Sequence, residues 1–281
     1  MSPKSNLPNF RTQIKKLAED ANIDLSAYDR ALILGQIAAL LIGHPKIGNK
    51  IAFKGGAIMN LVDASPRLSK DLDSSLVVSA SERISLKTVK EALSDSPEAK
   101  RIVKRIDEQG CSEDGEGLLV SFIICHPLSG VGEVSLAFSI HWTESILLPP
   151  VWETVSIYDR GELHEVELPV LQRIERVAEK LRAFIDRGLE RDAYDLWYHA
   201  SRLRFSEWQQ LAYLVNVKIE FDEDIPSQTM ILPIFDQHFK VLAEIWETTK
   251  NLVLWQSSRP SWDEVSKALT KFRPYLPDRK D

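Results

Sequence analysis

Two glycines and two aspartates constrain this chain more than any other stretch. Gly55 and Gly56 follow the apolar Ile51-Ala52-Phe53 and Lys54 and precede Ile58-Met59-Asn60-Leu61-Val62, a pattern that predicts a strand, a glycine turn and a short helix. Such a turn leaves backbone N–H groups unpaired at the helix start, where an anionic phosphate is favoured. Asp71 and Asp73 follow in Asp-Leu-Asp-Ser-Ser-Leu-Val-Val. On a strand, the period of two puts both carboxylates on one face and turns Leu72 into the core. Taken separately, the glycine pair reads as a plain turn and Asp-x-Asp as a solvated strand end. Taken together they suit Mg²⁺ or Mn²⁺, hard cations that take oxygen ligands and share them with substrate phosphates.

The stretch Phe53-Lys54-Gly55-Gly56-Ala57, followed by Arg67-Leu68-Ser69-Lys70-Asp71-Leu72-Asp73, resembles the Lys-Gly-Gly and Arg-x-Ser-x-Asp-x-Asp signature of the AbiEii-type nucleotidyltransferase toxins, a branch of the DNA polymerase β-like superfamily. A second block, Lys180 and then Arg191-Asp192-Ala193-Tyr194-Asp195-Leu196, resembles that family's later lysine and Arg-Asp-x-Tyr-Asp-Leu. The resemblance implies an α+β fold, with a nucleotidyltransferase-like mixed sheet flanked by helices over residues 1–167. A helical bundle over 168–281 would then complete the cleft. It also implies transfer of a nucleoside monophosphate from an NTP to a hydroxyl of an RNA, with tRNA known among relatives. The antitoxin would come from a neighbouring gene, the pair forming a type IV toxin–antitoxin system.

Carried over residue by residue, Asp71 and Asp73 would hold the metal, while Lys54, Gly55, Gly56, Arg67, Ser69 and Lys180 would bind the nucleotide. Lys180 and Asp195 would join the Asp couple in catalysis, with Asp192 beside them. In the superfamily a third carboxylate comes from a later strand. The aligned position here is Ala137; Glu133, on the same strand face, lies about 13 Å away at the strand rise. A nucleotide- or RNA-binding module of the same fold with impaired turnover is therefore the alternative reading.

Composition narrows the field further. A 281-residue chain that is 44% hydrophobic has enough material for one large core or two small ones. No apolar run approaches the ~20 residues of a membrane-spanning helix, and Met1-Ser2-Pro3-Lys4-Ser5-Asn6 lacks the apolar core of a secretory signal; a cytoplasmic location is expected. Two cysteines, Cys111 and Cys125, are too few for a disulfide framework or a cysteine zinc site. The six histidines form no ligand-spaced cluster, which disfavours a metallophosphohydrolase, and no Gly-x-x-x-x-Gly-Lys-Ser/Thr loop is present. A net charge of −6 disfavours general coating of nucleic acid. Residues 81–105, however, carry a net +3, and helical spacing would put Lys100 with Lys104 and Arg101 with Arg105 on shared sides. Such a side is either a solvated surface or a track for an RNA backbone.

In chain order, residues 8–20 suggest a short helix and Ala27–Leu41 a core helix. Strands are expected at 118–124 and 132–140 around a turn at Pro127-Leu128-Ser129-Gly130, then at 151–158 and 163–168. A long helix is expected to start at Pro169 and stop before Gly188. Lys180 flanks its apolar stripe and can either snorkel to water or reach phosphates. Asp192 has the placement of an N-cap for the next helix, with Asp195 in its first turn. Trp208, Trp246, Trp255 and Trp262 anchor a helical remainder, by packing or by stacking on bases.

Overall fold

Apolar residues at helical spacing form α1 (Leu25–Gly43), in which Ile33, Leu34, Ile37, Ala38 and Leu41 are fully buried. The chain then enters β1 (Ile51–Lys54), passes straight into α2 (Gly55–Leu61) and returns as β2 (Asp71–Leu76). Next come α3 (Leu86–Ser94) and α4 (Pro97–Ile102), each opened by a serine N-cap, Ser85 and Ser96, whose hydroxyl accepts a backbone N–H from the first turn. Among the described residues six strands follow: β3 (Val103–Ile106), β4 (Ser112–Glu113), β5 (Gly117–Cys125), β6 (Glu133–His141), β7 (Val151–Asp159) and β8 (Glu162–Val170). This computed structural model describes residues 16, 19–20, 25–125, 133–159, 162–221, 225, 229–249, 252, 254 and 259–278.

Among the described residues the strands form one mixed sheet in the order β3-β5-β6-β2-β1-β8-β7, with β4 added on β5. The pairs β1–β2 and β5–β6 are antiparallel, while β2–β6 and β1–β8 are parallel. Strand alternation divides the sheet chemically. One face carries Ile51, Phe53, Leu72, Leu76, Leu136, Phe138 and Ile140, all buried in a single apolar cluster with α1 and α3. At the alternate ladder positions the other face carries Lys54, Asp71, Asp73, Ser75, Ala137, Ser139 and His141.

The chain divides into two compact units. The first comprises Met1–Ile146, Pro150–Val170 and Val253–Gln256, and the second comprises Leu147–Pro149, Leu171–Leu252 and Ser257–Asp281. The second is helical: α5 (Arg173–Arg187), α6 (Glu190–Ala200), α7 (Phe205–Glu220), α8 (Ile231–Ile245) and α9 (Trp262–Phe272). Helix α5 packs on α6, α7 and α8 through a stripe that includes Ile174, Val177, Ala178, Leu181, Phe184 and Ile185. It ends at Gly188, whose φ of +59° makes it a left-handed cap. A buried triad crosses this unit: Lys218 Nζ lies 3.0 Å from Glu175 and 2.5 Å from Glu179. Glu175 also accepts the backbone N–H groups of Leu147 and Leu148. Burial alone would lower the Lys218 pKa, but the charges of Glu179 and Glu175 overcome it and raise it. Trp246 is fully buried and donates Nε1–H to Pro260, while Trp208 stacks on Tyr275 and Trp262 meets Phe239 and Trp246. These three tryptophans pack; Trp255 and the expected turn at 127–130 lie outside the described residues, as does most of 8–20.

Several local expectations are corrected. Helix α4 stops at Ile102, and Lys104 and Arg105 belong to β3, where both pair with Glu133. Pairing with β5 overrides the helical spacing, so Lys100 and Lys104 share no helix side. Pro169 lies inside β8, opposite Trp152, because the β7 ladder runs on to Val170; the long helix begins at Arg173. Asp192 does not cap α6. The N-cap is Leu189, which puts Asp192 at the third position of the first turn.

Candidate active site

The glycine pair is the point on which the first signature converges. Gly55 has φ +75°, a left-handed conformation that an L side chain adopts at a cost. A Cβ built on Gly55 would stand 2.3 Å from Asp73 Oδ2. At Gly56 it would stand 2.2 Å from the Arg67 guanidinium and 3.1 Å from Ser69 Oγ. The structure thus gathers Gly55, Gly56, Arg67, Ser69 and Asp73 at van der Waals distance, and hydrogen lies where any side chain would collide. The loop that delivers Arg67 and Ser69 is closed by Asn60 Nδ2 donating to Ser65 O at 2.6 Å, and Ser69 Oγ donates to Asp71 O at 3.2 Å. Asp71 is exposed and Asp73 half-buried, on one face of β2, while Leu72 between them is fully buried.

The parallel β2–β6 register places Ala137 opposite Asp71 and Ser139 opposite Asp73. Ser139 Oγ donates to Asp73 Oδ1 at 3.0 Å and lies 3.4 Å from His141 Nε2. Glu133, four residues up the strand from Ala137, is held by Lys104 and Arg105.

Lys54 stands directly opposite Asp73 in the β1–β2 ladder, but its ammonium pairs with Glu144. The same Glu144 oxygen accepts from Ser75 Oγ at 2.5 Å. Burial alone would push the Glu144 carboxyl up. The Lys54 ammonium, the neighbouring His141 and the two hydrogen bonds overcome that and hold it at about 2.

In the helical unit, Lys180 Nζ lies 3.1 Å from Asp195 Oδ2 and 3.5 Å from Asp192 Oδ1. Arg187 takes Asp192 with two contacts, Nε to Oδ2 at 2.8 Å and Nη2 to Oδ1 at 3.0 Å. Both carboxylates are buried, and Lys180 points inward to them rather than snorkelling. The second sequence block therefore folds into one ion-paired cluster, with Asp195 one helical turn after Asp192 on α6.

Residues 39–277 match the family described as nucleotidyl transferase AbiEii toxin, type IV TA system. The chain belongs to the AbiEii nucleotidyltransferase toxin family. It is accordingly a nucleotidyltransferase of the toxin class found in type IV toxin–antitoxin systems. Among solved structures the chain is similar to MenT4, a nucleotidyltransferase toxin from Mycobacterium tuberculosis H37Rv, at 20% identity and a TM-score of 0.56 over 93% of this chain and 88% of that one. It is also similar to JHP933 from Helicobacter pylori, at 14% identity and a TM-score of 0.48 over 87% and 89% of the two chains. The first likeness is one of fold. No curated protein matches the sequence.

Within this AbiEii chain, sequence reasoning missed Ser139, Ser75, His141 and Glu144. Only strand parity pointed toward Ser139, since it shares a face with Ala137, and no spacing marks Glu144. As for a metal, no group of three or more His, Cys, Asp or Glu side chains is arranged to hold one among the described residues. The donor set is two carboxylates on one strand face, with one Asp73 oxygen already hydrogen-bonded to Ser139. An all-protein cage is thus excluded for those residues, but the set fits a hard cation such as Mg²⁺, which keeps waters and borrows substrate phosphate oxygens. No helix among the described residues is long and apolar enough to cross a membrane.

Proposed function

We propose that this protein transfers a nucleoside monophosphate from an NTP to a hydroxyl of an RNA acceptor of the tRNA class, with Mg²⁺ or Mn²⁺ at Asp71 and Asp73. The acceptor oxygen forms a bond to the α-phosphorus, the bond from that phosphorus to the bridging oxygen of pyrophosphate breaks, and the hydroxyl proton leaves to solvent or a nearby base. A cation held there would supply positive charge to neutralise the phosphoryl oxygens. Asp71 and Asp73 would supply its ligands from a strand whose facing is set by Leu72 in the core. Gly55 and Gly56 offer backbone N–H groups that no side chain of their own covers, and Arg67 and Ser69, packed against Gly56, add charge and a hydroxyl. Lys180 and Asp195 are assigned to the same reaction on the family's second sequence block, Asp192 serving to hold Lys180. The toxin class supports a cognate antitoxin as partner, and a cytoplasmic setting is part of the same proposal.

The observation that carries this reading is the approach of Asp73 Oδ2 to Gly55, which supports a site in which this carboxylate would hold the cation beside the glycine turn. Ala137 beside Asp71 favours the second reading, a binding module without turnover. One experiment separates them. Purified protein is incubated with Mg²⁺, total cellular RNA and each α-labelled NTP in turn, alongside Asp73→Ala and a chelator control. Label entering RNA, lost in the variant and with chelator, is the expected result. Tight NTP binding with no labelled RNA for any NTP would leave the module.

A further inference from the structure

The sheet face bearing the Asp couple also carries a cation placed to spoil it. Lys54 and Asp73 are directly opposed across β1 and β2, and directly opposed side chains start about 4.5–5.5 Å apart at Cβ. A lysine stem spans that distance easily. With Asp73 Oδ1 already taken by Ser139, an ammonium at Oδ2 would neutralise the carboxylate and occupy the place of a metal.

Glu144 stands where it prevents this. It reaches back over the face from the segment after β6, takes the Lys54 ammonium and is itself fixed by the Ser75 hydroxyl. Ser75 lies two residues beyond Asp73 on the same face, so Glu144 draws the lysine to the side of Asp73 away from Asp71. Both side chains are largely buried, at 8% and 20% exposure, so the pair is little screened by solvent. Lys54 and Glu144 cancel, so the pair brings no net charge to the face beside Asp73.

We infer that Glu144 is a positioning residue that occupies the Lys54 ammonium and thereby keeps the Asp73 carboxylate open to a divalent cation. The inference rests on the metal-dependent reading above. It makes Lys54 a partner of Glu144 first, in place of the nucleotide contact expected from the signature. It also accounts for a buried carboxylate on a face where the β6 position beside Asp71 is alanine.

The test is Mn²⁺ binding to the full chain, read from the electron paramagnetic resonance signal of free ion, with and without a non-hydrolysable NTP analogue. Wild type, Glu144→Gln, Lys54→Met and the double variant are compared. Glu144→Gln retains the shape and hydrogen-bonding capacity but drops the charge. It should weaken Mn²⁺ binding about tenfold or more, as loss of groups that support metal ligands does. Adding Lys54→Met removes the competing cation and should restore affinity to within about threefold of wild type, a rescue that a merely structural Glu144 would not show. Unchanged Mn²⁺ affinity in Glu144→Gln, or a double variant as weak as Glu144→Gln, overturns the proposal alone. If wild type binds no Mn²⁺ even with nucleotide, the metal-dependent reading falls and this proposal falls with it.

Discussion

Ser139 donates its hydroxyl proton to Asp73 from the position directly opposite on a parallel strand, at 3.0 Å. That bond commits one carboxylate oxygen and leaves Oδ2 over Gly55. Ser139→Ala is expected to lower turnover about tenfold and raise the metal concentration needed for half-maximal rate. Stability should change by only about 1 kcal/mol, the net worth of one hydrogen bond. Metal titrations of labelling activity, together with a thermal melt, check both parts. Unchanged metal dependence would remove Ser139 from the site.

Gly55→Ala should be far more damaging. The left-handed backbone costs an L residue roughly 1–2 kcal/mol, and the new Cβ collides with Asp73. The prediction is loss of RNA labelling by about a hundredfold or more, with the protein still folded by circular dichroism. Full activity in this variant would show that the glycine turn and Asp73 do not act together.

Lys180, assigned to the reaction on the second sequence block, is also a structural cation of the helical unit. Lys180→Met leaves Asp195 buried without its ammonium, a change that costs about 3–5 kcal/mol when a buried pair is broken. Lys180→Met with Asp195→Asn should recover most of that stability while activity stays lost. Chemical denaturation of the single and double variants reads the first effect and RNA labelling the second. Equal stability of the two variants would contradict the pairing.

The Lys54–Glu144 pair gives an acid-stability signature. Glu144 titrates at about 2 when folded, below its ordinary value of 4.5, so its contribution is present above the unfolded pKa and is lost as pH falls toward 2. The shift corresponds to on the order of 3 kcal/mol at neutral pH. Glu144→Gln should therefore flatten the loss of stability between about pH 5 and pH 2. Denaturation midpoints across that range decide it; parallel curves for wild type and variant would rule the contribution out.

Local periodicity carried much of this protein's reading. The alternation in Asp71-Leu72-Asp73, the glycines after an apolar strand, the stripe of α5 and its stop at Gly188 are all set by backbone geometry within a few residues, and the chain adopts each of them. Where the reading failed, pairing with distant strands or helices had overridden local preference. Lys104 and Arg105 continue a helical charge pattern yet lie in β3, and Pro169 has the chemistry of a helix start yet completes β8. Asp192 resembles a cap but is drawn inward by Lys180 and Arg187.

The signature residues were thus determined by sequence alone, and so was the family, because those motifs need only neighbours along the chain. The supporting residues were decided by tertiary structure. Ser139 is 66 residues from Asp73, and Glu144 is 90 from Lys54. Their partners depend on the register of a parallel strand pair and on a segment folded back over the sheet. No spacing in one dimension encodes that register. It is fixed by burying Leu72 against Phe138 and Phe53 on the opposite face, which leaves the polar side chains to meet where the pleat puts them.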